Sequence, residues 1–182
     1  AVPAVLWWVP EDGAPRAVAG ASEPYPAAVF EQVHPAMGDR VRAWALAQLG
    51  DLSGVKAWDL YAGVGETSAL LAAGGAQVES VEVDPRAVVE ATRRGPGQGV
   101  RRQAGRAEDL APTLPPTDLV VTNPPRTGMD ARVIDAIVAA RPRRVAYISC
   151  DPATLARDLS RLLPRVPTSP PWRLAALRAF DL

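Results

Sequence analysis

A single cysteine, Cys150, stands between a predicted strand and a predicted helix. The residues before it, 144–148, form an apolar run typical of a buried β-strand. Pro152, just after it, is a residue type common in the first turn of a helix. A thiol in this place lies at the rim of an open α/β sheet, where ligands bind, and near a helix N-terminus, whose dipole favours the nucleophilic thiolate. The alternative for a lone cysteine is a buried, inert thiol.

A glycine-rich turn follows an earlier predicted strand, residues 55–60. Gly63 and Gly65 allow the backbone to approach a ligand closely. Glu82 ends the next predicted strand, and an acidic side chain there can accept hydrogen bonds from both hydroxyls of a ribose. The pattern predicts a nucleoside-binding site. It leaves the cofactor open, because Ser68 at the third glycine position is small enough for NAD as well.

A third group of residues, Asn123-Pro124-Pro125-Arg126-Thr127-Gly128, follows the strand predicted at 118–122. Two consecutive prolines restrict the backbone to an extended turn. Such a turn would hold the Asn123 side chain and nearby carbonyl groups at the rim of the sheet. A methyltransferase that modifies a base needs such a clamp, because it must hold the flipped, planar base beside its methyl donor. The alternative is a rigid loop without a binding role.

Predicted strands and helices alternate along the chain and must position these three groups. Repeated βα units predict an α/β fold with a doubly wound, mostly parallel sheet. A short hairpin, residues 5–9 and 16–19 around an Asp-Gly turn, precedes them. The predicted strands are 55–60, 77–83, 100–103, 118–122, 144–149 and 172–180, and the predicted helices are 35–49, 66–73, 85–94, 130–140 and 152–163.

The composition excludes several classes of protein. Twenty basic and twenty acidic side chains balance, which argues against binding nucleic acid through bulk charge but leaves local arginine patches possible. One cysteine and one histidine exclude a disulfide within the chain, a multi-cysteine zinc or iron–sulfur site and a histidine cluster. No apolar run reaches membrane-spanning length. The sequence therefore predicts a cytoplasmic protein without a metal centre.

The three groups resemble, in order and spacing, the motifs of the RNA (uracil-5-)-methyltransferase family. The matching segments are Asp-Leu-Tyr-x-Gly-x-Gly at 59–65, Asn-Pro-Pro-Arg-x-Gly at 123–128 and Ser-Cys-Asp-Pro-Ala-Thr-Leu-Ala-Arg-Asp at 149–158. Phe-x-Gln-x-His at 30–34 resembles the segment ahead of that family's fold. The resemblance implies a Rossmann-like class I methyltransferase fold that uses S-adenosyl-L-methionine (SAM). It covers residue 30 to the C-terminus, and the cysteine segment is its most specific part.

The resemblance also implies roles for particular residues. Cys150 would be the nucleophile that adds to C6 of uracil, so that C5 becomes reactive enough to take the methyl group of SAM. Asn123 would contact both SAM and the target base, and Arg126 would contact the RNA. The residues that would contact SAM are Gln32, Tyr61, Gly63, Gly65, Glu66, Glu82 and Asn123.

The chain departs from the family pattern in three places. Asn123 stands where the family usually has Asp, and as an amide it offers both a donor and an acceptor to uracil. His34 stands where the family has Asn. The family's general base, a Glu on a final antiparallel strand, would come after Leu182, so we expect the sheet to lack that strand and the chain alone to release its methylated adduct slowly. Residues 1–30 are interpreted as the remnant of a preceding domain and 31–182 as the catalytic domain, in a fragment or a reduced relative.

The sequence leaves two other functions open. One is an amino-group methyltransferase, because Asn-Pro-Pro opens the motif of those enzymes. They usually place an aromatic residue after the prolines, whereas this chain has Arg126, and they do not need Cys150. The other is a non-catalytic module that binds SAM or RNA. Among uridine-C5 substrates, the segment 152–158 favours 23S rRNA over tRNA.

Overall fold

Strands and helices alternate from residue 35 onwards, as the sequence predicts. The structure is a computed structural model, and it describes residues 6–8, 16–20, 35–95, 97–163 and 172–181. The elements in chain order are β1 (Leu6–Trp8), β2 (Arg16–Ala19), α1 (Pro35–Ala47), β3 (Lys56–Leu60), α2 (Glu66–Ala73), β4 (Gln77–Glu82), α3 (Pro85–Arg94), β5 (Val100–Ala104), α4 (Ala107–Leu110), a 3-10 turn (Ala111–Thr113), β6 (Leu119–Thr122), α5 (Ala131–Ala140), β7 (Arg144–Tyr147) and α6 (Pro152–Leu162).

Five parallel strands form the central sheet in the order β5-β4-β3-β6-β7. From β3 the chain adds β4 and then β5 on one side, and it returns to add β6 and then β7 on the other side. Leu60 at the end of β3 therefore has Val81 of β4 as one neighbour and Thr122 of β6 as the other. The chain continues from β3 to α2 on one face and from β6 to α5 on the other. In open α/β sheets, ligands bind at the carboxyl ends of strands where the chain direction changes in this way.

Helices cover both faces of the sheet, because the central strands are apolar on both sides. On one face, Leu71 of α2 and Ala45 of α1 pack against Ala57 and Val121 of the sheet. On the other face, α5 and the end of α6 pack against Trp58, Leu60 and Val120. All four residues of β6 are buried, as expected for a strand between two helical layers. The doubly wound arrangement predicted from the sequence is confirmed.

Three helices begin at an aspartate that the sequence supplies directly before the helical run. Asp84, Asp130 and Asp151 cap α3, α5 and α6, each accepting a hydrogen bond from a backbone N–H of the first turn. Pro85 and Pro152 occupy the first helical position, where the missing N–H costs nothing. Asp84 and Asp151 follow the last residues of β4 and β7 by two and four positions, so α3 and α6 begin close to the carboxyl edge of the sheet.

One predicted strand is wrong. Residues 172–180 form neither strand nor helix, although their apolar residues alternate in part. Trp172 donates its indole N–H to the carbonyl of Pro142 at 3.0 Å, and the Phe180 ring packs edge-on against Trp44 of α1. Between these anchors lie arginine, alanine and leucine side chains, and Leu174 and Leu177 are exposed. In the described part of the chain, no strand pairs with this segment. The short helix α4 and the 3-10 turn after it were not predicted.

The hairpin predicted near the N-terminus is present. β1 and β2 pair antiparallel as a two-stranded sheet separate from the central one. Within the part of the chain that the structure describes, no helix is long and apolar enough to cross a membrane.

A buried carboxyl group lies in the centre of the sheet. Asp59 on β3 is 1% exposed, and it accepts a hydrogen bond of 2.5 Å from the hydroxyl of Ser68, which in turn lies 2.9 Å from the Ser80 hydroxyl. Burial raises the pKa of Asp59 to about 7, although the hydrogen bonds from Ser68 act in the opposite direction. The folded protein therefore holds a proton here that the unfolded chain releases above about pH 4.

We predict that Asp59→Asn changes the pH dependence of stability. A raised carboxyl pKa stabilises the fold fully below the unfolded pKa, and this stabilisation is lost as the pH rises towards 7. Relative to Asp59→Asn, the wild-type free energy of unfolding should fall between pH 4 and 7 by up to about 1.4 kcal/mol per pH unit. Urea unfolding of both proteins across this range measures the difference. If the unfolding free energies of the two proteins change in parallel with pH, the pKa of Asp59 is the same in the folded and unfolded states, which contradicts the prediction.

Candidate active site

Four loops meet at the carboxyl edge of the sheet, and each carries residues singled out from the sequence. They follow β3 (residues 61–65), β4 (83–84), β6 (123–130) and β7 (148–151). The backbone pairing continues past the strand ends, because the N–H of Asn123 bonds to the carbonyl of Leu60 at 3.3 Å and that of Ile148 to Thr122 at 2.9 Å. Asn123 and Cys150 therefore leave the sheet from neighbouring strands.

The glycine-rich loop turns back on itself in a left-handed conformation. Tyr61, Gly63 and Gly65 have φ angles of 62°, 56° and 77°. Gly65 is fixed by close packing, since a Cβ there would stand 3.0 Å from the Cβ of Ala91 on α3. At Gly63, by contrast, no heavy atom lies within 4 Å of the position of a Cβ. The main chain at Gly63 thus borders open space on the crevice side.

Glu82 supports this loop from below. One carboxylate oxygen accepts the N–H of Gly63 at 2.8 Å, and the other accepts the N–H of Asp84 at 2.8 Å. Each oxygen keeps a further lone pair, so the half-buried carboxylate can still accept two hydrogen bonds from a ligand. Val83, next to it, is 58% exposed and gives this rim an apolar surface.

Glu66 begins α2 and forms an ion pair with α1. Its carboxylate lies 2.8 Å from Nη1 of Arg42, whose Nη2 also binds Asp39. The Arg42 side chain is 12% exposed, whereas that of Glu66 is 46% exposed. The arginine thus holds the carboxylate at the start of α2 while leaving one side of it open to solvent.

The Asn-Pro-Pro loop is held at both ends. Pro124 is buried, and a turn closes where the N–H of Gly128 bonds to the carbonyl of Pro125 at 2.8 Å. The Tyr61 hydroxyl reaches the backbone at Asp130 beyond this turn, and burial raises its pKa to about 12. Asn123 and Arg126 are both exposed on the outer side of the loop.

Cys150 is exposed and lies directly before the cap of α6. The neighbouring residues form a tight turn, in which the N–H of Asp151 donates to the Ser149 hydroxyl at 3.1 Å. A hydrogen bond from the backbone N–H of Thr154 is the largest cause that lowers the pKa of Asp151, and the charge of Arg126 also lowers it. Arg126 on the Asn-Pro-Pro loop is therefore close to the segment that carries Cys150.

A buried aspartate, Asp158, connects these last two loops. It is 0% exposed and accepts hydrogen bonds from the backbone N–H of Met129, the hydroxyl of Tyr147 and the guanidinium of Arg157. Burial alone would raise the pKa of Asp158, but these three donors together lower it below its ordinary value. The carboxylate is thus ionised at neutral pH. Burial, and the bond to Asp158, also raise the pKa of Tyr147.

Comparisons with known proteins agree with the motifs. Residues 100–167 match the family model described as tRNA (uracil-5-)-methyltransferase. An uncharacterized RNA methyltransferase of Corynebacterium glutamicum is 40% identical over 148 residues, which cover 75% of this chain and 35% of that protein. Another, from Nitratidesulfovibrio vulgaris, is 40% identical over 123 residues, 59% of this chain and 25% of that protein. The resemblance to the RNA (uracil-5-)-methyltransferases is confirmed. The chain spans about a third or less of these relatives.

Solved structures share the fold. The tRNA (uracil-54, C5)-methyltransferase of Pyrococcus abyssi, in complex with S-adenosyl-L-homocysteine, matches with a TM-score of 0.64 and 21% identity over 87% of this chain and 38% of that one. The precorrin-6y C5,15-methyltransferase of Geobacter metallireducens matches with a TM-score of 0.56 and 20% identity, covering 67% and 68% of the two chains. The SAM-dependent methyltransferase fold predicted from the sequence is confirmed. Because proteins named for such different substrates share it, the fold alone does not select one.

The structure brings together most of the residues that the (uracil-5-)-methyltransferase motifs predict. Tyr61, Glu66 and Glu82 border the glycine-rich loop, whereas Asn123, Arg126 and Cys150 lie on the two adjoining loops. Gln32 and His34 lie outside the described residues. Among the described residues, no group of three His, Cys, Asp or Glu side chains is placed to hold a metal ion.

Sequence reasoning missed the role of Asp158. A signal was present, because Leu155, Leu159 and Leu162 form the apolar stripe of α6 and Asp158 falls within it. A charged residue on a stripe that packs into the core requires buried partners. Apart from Arg157, those partners lie on other segments of the chain, so the residue spacing within α6 does not identify them.

Several of the exposed arginines outside these loops form ion pairs. Arg93 binds Glu90 at 2.9 Å, and Arg101 binds Glu79 at 2.7 Å. Arg101 also lies in the first half of β5, towards the sheet edge opposite the four loops. These residues therefore do not add positive charge to the rim that carries Cys150.

We predict that Gly128→Ala destabilises the protein more than Gly54→Ala. Both glycines have a left-handed backbone, with φ of 77° and 70°, so an alanine costs about 1 kcal/mol at either position. At Gly54 the added Cβ meets open space, whereas at Gly128 it would overlap the Arg157 guanidinium and the Asp158 carboxylate. The second cost adds at least about 1 kcal/mol. Urea unfolding of the two variants measures the difference, and equal losses would show that the packing at Gly128 is loose.

Proposed function

We propose that this chain carries out SAM-dependent methylation of uridine C5 in RNA through a covalent bond between Cys150 and C6 of the base. The observation that supports this most directly is the exposed thiol beside the Asn-Pro-Pro loop. Amino-group methyltransferases have no use for a thiol at this place. A crevice for the methyl donor opens on the adjoining strands β3 and β4, so that donor, base and nucleophile can meet at one edge.

The residues at the crevice fit SAM. Gly63 exposes main chain with free space in front of it, and the Glu82 carboxylate retains acceptor capacity for the two ribose hydroxyls. The exposed Val83 side chain offers an apolar surface for an adenine ring. The start of α2 adds the positive end of a helix dipole, which favours the carboxylate of the amino-acid part. Bound SAM would supply an electrophilic methyl group.

The chain's own groups provide the remaining chemistry. The Cys150 thiolate attacks C6 of the uracil, a C–S bond forms, and the electron pair of the C5–C6 double bond moves to C5 and the O4 carbonyl. C5 would then take the methyl group as the bond from this group to the sulfur of SAM breaks, and S-adenosyl-L-homocysteine would leave. Loss of the C5 proton to a base restores the double bond and expels the thiolate. We assign no described residue to that base, since Asp151 is held as a helix cap and its carboxylate is already bonded to Thr154.

The two exposed residues of the Asn-Pro-Pro loop would hold the substrate. The amide of Asn123 can donate to O4 of uracil and accept from its N3–H. The Arg126 guanidinium is exposed beside the segment of Cys150, where it can bind an RNA phosphate.

Among RNA substrates, we propose 23S rRNA ahead of tRNA because of the likeness of residues 152–158 to the rRNA enzymes. Methylation assays that compare the two RNAs decide this point. Preference for tRNA would overturn it without affecting the chemistry.

We predict that Glu82→Ala weakens SAM binding at least tenfold. The change removes the acceptor for two ribose hydroxyls, and each charge-assisted hydrogen bond is worth about 1.5–3 kcal/mol. Isothermal titration calorimetry with SAM measures the affinity. Glu79→Ala is the matched control, because Glu79 lies on the same strand but binds Arg101. Unchanged affinity in Glu82→Ala contradicts the assignment, and binding of NAD in place of SAM contradicts the proposed function.

We predict that RNA containing 5-fluorouridine forms a covalent adduct with the wild-type chain in the presence of SAM. In 5-fluorouridine, fluorine replaces the C5 hydrogen that a base would remove as a proton. Since no base can remove fluorine as a cation, the methylated adduct persists whether or not a base is available. Cys150→Ser and Cys150→Ala should form no adduct and should keep the SAM affinity of the wild type, because the thiol contacts the base. Denaturing gel electrophoresis and mass spectrometry detect the adduct. Methyl transfer that survives in Cys150→Ser would instead support an amino-group methyltransferase.

A further inference from the structure

The buried carboxylate of Asp158 joins three segments of the candidate active site. One oxygen accepts the backbone N–H of Met129 at 2.7 Å and the Tyr147 hydroxyl at 2.8 Å. The other accepts Nε and Nη2 of Arg157 at 2.9 and 2.7 Å. The same Nη2 donates to the carbonyl of Thr127 at 2.8 Å. These bonds connect α6 with the end of β7 and with the Asn-Pro-Pro loop.

The connection fixes the part of the loop that its prolines leave free. Pro124 and Pro125 restrict the first half of the loop, whereas Thr127 and Met129 in the second half are bound by Arg157 and Asp158. Gly128 lies between them, and any Cβ at that position would overlap both partners. The loop is thus in direct contact with α6 over residues 127–129.

Asp158 is an ionised side chain at a fully buried position. Position 158 belongs to the apolar stripe of α6, where a leucine would pack without the cost of burying a charge. Asp158 instead accepts four hydrogen bonds, and apart from Arg157 its donors belong to segments that border Cys150 or Asn123. A buried charge with several donors imposes one geometry on all of them, because each lost bond leaves the charge uncompensated.

We propose that Asp158 and Arg157 are positioning residues, which hold the Asn-Pro-Pro loop at a fixed distance and orientation relative to Cys150. This inference rests on the proposed function, since it assumes that the base held by the loop is the one attacked by the thiolate. Tyr147 stands three residues before Cys150, and α6 begins two residues after it. A shift of Met129 relative to Asp158 would therefore move Asn123 and Arg126 relative to the sulfur atom, while the SAM crevice on the other side of β3 stays in place.

The test compares the rate of adduct formation with the affinity for SAM. The variants are Asp158→Asn, which removes the charge while preserving the shape, and Arg157→Lys, which removes the bond to Thr127 while keeping the charge. Asp135→Asn and Arg161→Lys are matched controls, because both side chains are exposed on α5 and α6 away from the loop. All are assayed below the melting temperature of the least stable variant, with saturating SAM and RNA that contains 5-fluorouridine.

We expect Asp158→Asn to form the adduct at least tenfold more slowly than the wild type, and Arg157→Lys about threefold more slowly. Because Asn123 is one of several residues expected to contact SAM, the SAM affinity of Asp158→Asn should fall no more than about threefold, and the controls should match the wild type. A purely structural role would lower SAM affinity and adduct rate together. Adduct formation at the wild-type rate in Asp158→Asn would overturn the proposal, and so would a parallel loss of both quantities.

Hydrogen exchange at the Met129 amide separates this inference from the proposed function. If the wild type forms no adduct, the proposed function fails, and the exchange rate then decides whether Asp158 holds the loop. We expect this amide to exchange at least tenfold faster in Asp158→Asn than in Asp135→Asn, while core amides of β3 and β6 exchange equally in both. Equal exchange at Met129 would overturn the proposal.

Discussion

The position of β3 between β4 and β6 determines where a ligand can bind. Its backbone pairs with β4 on one side and with β6 on the other, up to its last residue, Leu60. The chain therefore leaves the sheet after Leu60 as a loop at the carboxyl edge. The chain directions diverge at this strand, since the chain passes to α2 on one face and to α5 on the other. Such a point is where open α/β sheets bind ligands. Because the pairing is parallel throughout, the loops after β4, β6 and β7 reach the same edge. All the residues assigned to cofactor, base and nucleophile depend on this one arrangement.

The loops at that edge are held by a common physical device. Glu82 accepts backbone N–H groups of Gly63 and Asp84, Asp158 accepts that of Met129, and Asp151 accepts that of Thr154. In each case an ionised carboxylate satisfies main-chain donors that no strand or helix pairs. Loops of this kind would otherwise keep their polar groups in water and remain variable in conformation. These carboxylates fix the backbone of the loops through hydrogen bonds, as backbone–backbone hydrogen bonds do in the strands and helices.

Much of the fold follows from patterns of neighbouring residues. The alternation of apolar strand runs with helical spacing predicted the five central strands of the described sheet, and the helices that follow them apart from α4, to within one or two residues, because these patterns depend on local sequence. The position of Cys150 could be predicted for the same reason. The error at 172–180 arose because a strand needs a partner, and the alternation of residues does not reveal whether one is present. Asp158 was missed because its donors other than Arg157 lie on β7 and on the loop after β6, at distances along the chain that a sequence pattern does not encode.

The device that holds the loops acts on main-chain atoms, and this separates two properties of the site. Met129 and Thr127 are bound through a backbone N–H and a carbonyl, which every residue type except proline provides in full. The backbone conformation of the loop therefore does not depend on which side chains are exposed at positions 123 and 126. Residues there can be exchanged to suit a different base or a different fold of the substrate while the backbone path is kept. A scaffold of this kind allows substrate preference to diverge in evolution, or to be re-engineered, by surface substitutions that leave its stability unchanged.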